Sequence, residues 1–319
     1  MTRSLPIAGR AAPKHVDPSL DLEEEINRLK KEKNAVILAH YYKESEIQDL
    51  ADFIGDSLQL AQAAEKTTAD VICFAGVHFM AETAKIINPE KMVLIPDLGA
   101  GCSLADGITG ADVRHLKERH PGVPVVTYVN TSAEVKAESD ITCTSSNAVA
   151  VVESLGVDRV IFTPDQYLGR WVATQTDVDV ILWEGSCIVH ERFTGEEIAD
   201  YRRAYGDIPV IAHPECPPDV LAEADFVGST HAMIDWVTTR QPSRVMMITE
   251  CSMADNVARE TPHTQYVRPC NLCPYMKRIT LDNIRTSLAT LTHQVEIAPE
   301  VAERARRAVM RMLEVGRKD

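Results

Sequence analysis

Three absences narrow this chain before any motif is read. No run of about 18 apolar residues occurs, so no membrane span is expected. The opening residues, with Arg3, Arg10 and Lys14 scattered among prolines and small residues, lack the apolar centre of a signal peptide. Residues 1–18 therefore read as a disordered lead, and the expected compartment is the cytoplasm. Basic residues are in deficit: 33 Lys and Arg against 47 Asp and Glu leave a formal net charge of -14. Phosphate backbones need a basic surface, so nucleic acid is not an expected partner. Small anions stay open, because helix starts can hold phosphate or carboxylate inside an acidic protein. Eight cysteines without a secretory signal favour thiol or metal chemistry over a disulfide framework.

What is present is one unit written three times. Val36-Ile-Leu-Ala-His40-Tyr-Tyr42, Val125-Val-Thr-Tyr128-Val-Asn130 and Val210-Ile-Ala-His213-Pro-Glu215 superpose on adding 88 and then 85 to the numbering. The same shifts align Asp52, Asp140 and Asp225, and also Ser57, Ser145 and Thr230. Cys102, Cys187 and Cys273 follow at separations of 85 and 86. Units of about 86 residues would close around a pseudo-threefold axis, where one cysteine from each would meet. The aspartates read as fold residues, since acidic groups near turns commonly bond backbone. The Tyr, His, Asn and Glu positions end apolar strands, the edge at which open parallel sheets bind ligands.

Within unit one, strands are expected over 35–41, 71–75 and 92–95, with helices from Ser45 (in capping-box spacing with Gln48), over 58–65 and over 81–87. Unit two has strands near Val125, Val160 and Val180, and unit three near Val210, Val245 and Tyr266. Alternating strands and helices imply an α/β fold with parallel sheets, here three similar Rossmann-like domains. The expected boundaries are 19–110, 111–195 and 196–280, with a helical tail over 281–319 packing back on an earlier unit. Ser57, Ser145 and Thr230 each precede a helical run, where a hydroxyl caps free amides. Three at equivalent places suggest a pocket for a ligand with several negative groups.

Three convergent thiolates can hold zinc or an iron-sulfur cluster. The wide spacing fits structural zinc poorly. A 4Fe-4S cluster on three cysteines leaves one open iron, a Lewis acid suited to dehydration or condensation. Cys73, Cys143, Cys216 and Cys251 read as buried small hydrophobes. Cys270 has no partner in the repeat and reads as a nearby thiol, with its redox activity left open by the sequence.

Taken in order, His40-Tyr-Tyr42, Asp97-Leu-Gly-Ala-Gly-Cys102, Tyr128-Val-Asn130, Gly185-Ser-Cys187, His213-Pro-Glu215, Gly228-Ser-Thr230 and Cys273-Pro-Tyr-Met276 resemble the quinolinate synthase A family of NAD biosynthesis. The resemblance covers residues 20–290. It implies three α/β domains around one 4Fe-4S cluster per chain, held by Cys102, Cys187 and Cys273. It also implies condensation of iminosuccinate with dihydroxyacetone phosphate, with a transient contact with L-aspartate oxidase as the source of iminosuccinate. The implied substrate set is His40, Ser57, Tyr128, Val129, Asn130, Ser145, His213, Pro214, Glu215 and Thr230. Tyr42, Glu215 and His213 are expected to carry proton transfers. One departure from some members is Val267, which stands where they have the first cysteine of a Cys-x-x-Cys-x-x-Cys run. An alternative within enzymes is a cluster-dependent hydro-lyase acting on a hydroxy acid, and one from another class is an iron-sulfur sensor.

Overall fold

A computed structural model describes residues 21–206 and 208–317. The expected disordered lead at 1–18 lies outside the described residues. Among the described residues twelve strands form three four-stranded parallel sheets. The first holds β1 (Ala35–His40), β2 (Phe53–Gly55), β3 (Val71–Ala75) and β4 (Met92–Leu94). The second holds β5 (Val125–Tyr128), β6 (Ile141–Cys143), β7 (Arg159–Thr163) and β8 (Asp179–Leu182). The third holds β9 (Val210–Ala212), β10 (Phe226–Val227), β11 (Arg244–Ile248) and β12 (Gln265–Val267). All three have the same spatial order, with the second strand at one edge beside the first, then the third and fourth. The central strands are continuous apolar runs, as burial on both faces by crossover helices requires.

Sequence reading expected three strands per unit, and each sheet has a fourth. These short edge strands, β2, β6 and β10, begin just after the repeated aspartates. Asp52, Asp140 and Asp225 each accept from a backbone amide fifteen residues earlier, at Ile37, Val125 and Val210, with distances of 2.7, 2.8 and 2.8 Å. Each aspartate amide donates back to the same residue's carbonyl. The aspartates therefore pin the incoming edge strand to the centre of its sheet.

The helix expected from Ser45 is a single turn, Ser45–Gln48, and no side chain caps it. Gln48 Nε2 instead reaches the carbonyls of Tyr41 and Lys43 at 3.1 and 3.2 Å, bracing the turn after β1. The expected tail is two helices, Leu281–Thr290 and Pro299–Val315. Leu291, at φ +52°, ends the first in a left-handed cap, and the following segment pairs with the edge of β4 through Val295 N–H to the Val93 carbonyl at 2.8 Å. Pro299 then opens the last helix at a position that needs no amide.

The apolar core runs from the first sheet into the second and under the helix Leu281–Thr290. A further cluster joins Leu58 and Ile87, Ala133 and Ala137, and Val309 and Met312, so the last helix spans the first two units. The third sheet buries its own two faces in separate clusters around Ile248 and Met247.

Candidate active site

The ends of β1, β5 and β9 open onto one cavity. His40, Tyr42, Tyr128, Asn130, His213 and Glu215 line it from those ends, Ser57 and Thr230 line it from helix starts, and Ser145 lines it from the loop before the helix Ala148–Ser154. Cys102, Cys187 and Cys273 line the same cavity. Val129 and Pro214 are buried next to it but do not line it; Val129 borders a smaller void behind Ser57.

The three cysteines sit in one backbone turn built three times. His78, Gln166 and Cys251 amides, after β3, β7 and β11, donate to the carbonyls of Ala100, Gly185 and Asn271, each two residues before a cysteine. Cys102, Cys187 and Cys273 carbonyls then each accept from the amide four residues on. The sulfurs take amides from the second and third residues after them: Leu104 and Ala105, Val189 and His190, Tyr275 and Met276. Burial pushes the Cys102 thiol up to about 12 and raises Cys187 and Cys273 too, while the amides oppose this by favouring thiolate. Such sulfurs suit a bound metal, which supplies the missing positive charge.

Glu215 is the electrostatic centre. Oε1 accepts from Tyr128 Oη at 2.5 Å and Oε2 from His190 Nδ1 at 2.9 Å. Burial alone would raise its pKa, but His190, His213 and the hydrogen bonds from His190 and Tyr128 outweigh burial and hold it well below the carboxylate range. Tyr128 and Tyr42 are pushed well above 10, first by burial and then by the charge of Glu215. From His190 the chain continues: Nε2 is 3.0 Å from Thr249 Oγ1, which is 2.7 Å from Tyr42 Oη. Tyr42 and Glu215 are thus joined through two residues.

His40 and His213 repeat each other in detail. Each Nδ1 accepts the amide two residues on, from Tyr42 at 3.1 Å and Glu215 at 3.4 Å. That places the ring proton on Nε2. Burial lowers both pKa values to about 3, so these imidazoles are neutral donors near pH 7. His213 Nε2 lies 3.2 Å from Ser145 Oγ.

The hydroxyl set departs from expectation in a useful way. Asp56 caps the helix Ser57–Lys66 through Gln59 N–H at 2.9 Å, and Ser229 caps Thr230–Arg240 through Ala232 N–H at 3.3 Å. The third helix, Ala148–Ser154, starts beyond Ser145, with Asn147 in the cap position. Since neighbours hold the cap positions, the three hydroxyls are left to face the cavity.

The sequence profile of the quinolinate synthetase A protein family matches residues 24–314. The chain belongs to the quinolinate synthetase A protein family. Quinolinate synthase 2 of Mesorhizobium japonicum is 60% identical over 311 residues, covering 97% of this chain and 94% of the relative. Quinolinate synthase 1 of the same organism is 63% identical over 289 residues, covering 90% and 89%. Quinolinate synthase of Caulobacter vibrioides is 58% identical over 296 residues, covering 91% and 81%. Among the described residues no helix is long and apolar enough to cross a membrane.

For this family member, sequence reasoning overlooked His190 and Thr249. The repeat hid His190, because the equivalent positions are Ala105 and Met276; its signal was the Cys187-Ile-Val-His190 spacing. Cys187, His190 and Glu215 offer donor atoms within 4.8 Å of one another. Two cysteine readings are corrected: Cys251 is no free hydrophobe and Cys270 no free thiol, since they form a disulfide with Cα atoms 5.2 Å apart. Pairing of Glu250 with Asn271 draws the two loops together, which puts them within reach.

Proposed function

We propose that the cavity condenses iminosuccinate with dihydroxyacetone phosphate to quinolinate, releasing phosphate and two waters. The sum of atoms balances without an oxidant or reductant. The observation that carries this reading is the meeting of three cysteine turns with the Glu215 network and three hydroxyls in one cavity. L-aspartate oxidase is the natural source of the iminosuccinate.

The donor set fits a 4Fe-4S cluster held by Cys102, Cys187 and Cys273: three like turns, each with two amides on its sulfur, suit three thiolates of one group. A lone ion on Cys187, His190 and Glu215 fits less well, because His190 Nδ1 and Glu215 Oε2 already bond each other at 2.9 Å. When bound, the cluster supplies a Lewis acid for loss of hydroxide as water.

The chain's own residues do the rest. Ser57, Ser145 and Thr230 hydroxyls, with the amides at two helix starts, take the phosphate. His40 and His213, neutral and protonated at Nε2, donate to anionic oxygens without adding charge. Asn130 Oδ1, buried without a partner, accepts from the nitrogen of iminosuccinate. Glu215, ionised, removes a proton next to a carbonyl; Tyr42, kept protonated, returns one to a leaving oxygen. The chain through Thr249 and His190 keeps these two roles linked.

The test is anaerobic turnover by cluster-reconstituted protein given dihydroxyacetone phosphate and freshly generated iminosuccinate. One phosphate released per quinolinate is expected. Dehydration of a hydroxy acid without quinolinate would turn the reading to a hydro-lyase, and an intact cluster with no turnover of either would turn it to a sensor.

A further inference from the structure

On the proposed function the cavity receives a phosphate and carboxylates, yet among the described residues its lining contains no lysine or arginine and has two carboxylates of its own, Glu215 and Asp56. The second of these carboxylates, Asp56, meets a guanidinium from the residues after the last helix. Arg317 Nη2 lies 2.5 Å from Asp56 Oδ2, with the two side chains 22% and 6% exposed. Asp56 Oδ1 is committed to capping the helix that begins at Ser57. Its Oδ2 is shared between Arg317 and Ser146 Oγ, the latter at 3.3 Å.

The backbone just before Arg317 is anchored on the second unit. Asn147 Nδ2 donates to the Gly316 carbonyl at 3.0 Å. Gly316, at φ +63°, turns the chain out of the helix in a conformation that side chains resist. The residues after Pro299–Val315 therefore tie together the two loops that present Ser57 and Ser145, and Arg317 faces the one carboxylate beside Ser57.

We infer that Arg317 is a positioning residue for the substrate's phosphate, acting by cancelling the charge of Asp56 beside the Ser57 and Ser145 hydroxyls. An uncompensated carboxylate there would repel the arriving anion, in a partly buried place where screening by water is weak. The inference rests on the proposed function for the identity of the phosphate, but not for its binding.

The experiment compares wild type, Arg317→Gln, Arg317→Lys, Asp56→Asn and the Asp56→Asn/Arg317→Gln pair, all cluster-loaded. Inorganic phosphate binding is measured by 31P NMR titration, alongside steady-state kinetics. Arg317→Gln is expected to weaken phosphate binding and raise the KM for dihydroxyacetone phosphate at least tenfold, with kcat and the KM for iminosuccinate within about twofold. Arg317→Lys should recover part of this. Asp56→Asn should restore the Arg317→Gln protein to within about threefold of wild type, because Asn still caps the helix and carries no charge. No rescue by Asp56→Asn, a loss spread equally over both substrates, or unchanged phosphate binding in Arg317→Gln would each overturn the inference. Phosphate binding lost in Arg317→Gln and rescued by Asp56→Asn, in a protein that makes no quinolinate, would retire the proposed reaction and leave the inference standing.

Discussion

The cysteine turns and the ends of β1, β5 and β9 occupy equivalent places in three copies of one unit, yet they have diverged to different degrees. At the turns, all three cysteines keep the same carbonyl and amide contacts. At the strand ends, His40, Tyr128 and His213 share a position but not a chemistry, as do Tyr42, Asn130 and Glu215. A group with like corners can be held by like turns. An asymmetric substrate cannot, because an acid, a base and an amide acceptor must stand at different atoms. On the proposed function, the backbone pattern is retained where it would hold the cluster, and side chains differ where they would meet the substrate.

The comparison breaks most completely at the turns. Cys102→Ser should leave iron and sulfide far below stoichiometric after anaerobic reconstitution, with no measurable turnover, because two remaining thiolates do not hold the cluster. Chemical iron and sulfide analysis with visible absorbance reads this directly; a full cluster in that variant would remove Cys102 from the ligand set. At the strand ends, Glu215→Gln should keep the cluster and lower kcat about 10²–10⁴-fold, the usual range for a lost general base. Loss of the cluster in that protein would show that Glu215 supports the metal site instead.

The neutral histidines predict a dependence on acid. His40 and His213 have pKa values of about 3 in the folded protein against an ordinary 6.5. Below pH 6.5 the unfolded chain binds protons that the native rings refuse, so stability is full above 6.5 and falls as the pH drops toward 3. The two together should cost on the order of 2–4 kcal/mol between pH 6.5 and 5. Urea midpoints across that range should show a shallower fall in His40→Asn; an identical slope would mean that His40 is not buried neutral.

The smallest effect lies outside the cavity. Asp140→Ala removes the carboxylate that accepts from Val125 at 2.8 Å and should cost about 1–2 kcal/mol of stability. Its kcat per cluster should stay within about twofold of wild type. A large loss of turnover would make the aspartate set part of the site rather than of the sheet.

How much could be read in advance follows this division. Asp52, Asp140 and Asp225 are local: each bonds a strand residue fifteen positions away, so turn chemistry and the repeat were enough to assign them. The cysteine triplet was visible because one turn written three times leaves the same letter at separations of 85 and 86. His190 was not, because its task is performed once, and the repeat has Ala105 and Met276 in its place. Cys251 and Cys270 escaped for a related reason: they are neighbours only because the bridge from Glu250 to Asn271 aligns two loops.

The sequence by itself determined the α/β units, their threefold repetition and the residues that end their strands, since strand and helix periodicity and register are properties of neighbours along the chain. Only the tertiary structure decided that Tyr42 bonds Thr249, that Tyr128 bonds Glu215 and that Arg317 meets Asp56, contacts that span 207, 87 and 261 residues. Contacts of that range depend on how separate units pack together, and no local pattern records where packing will bring two side chains.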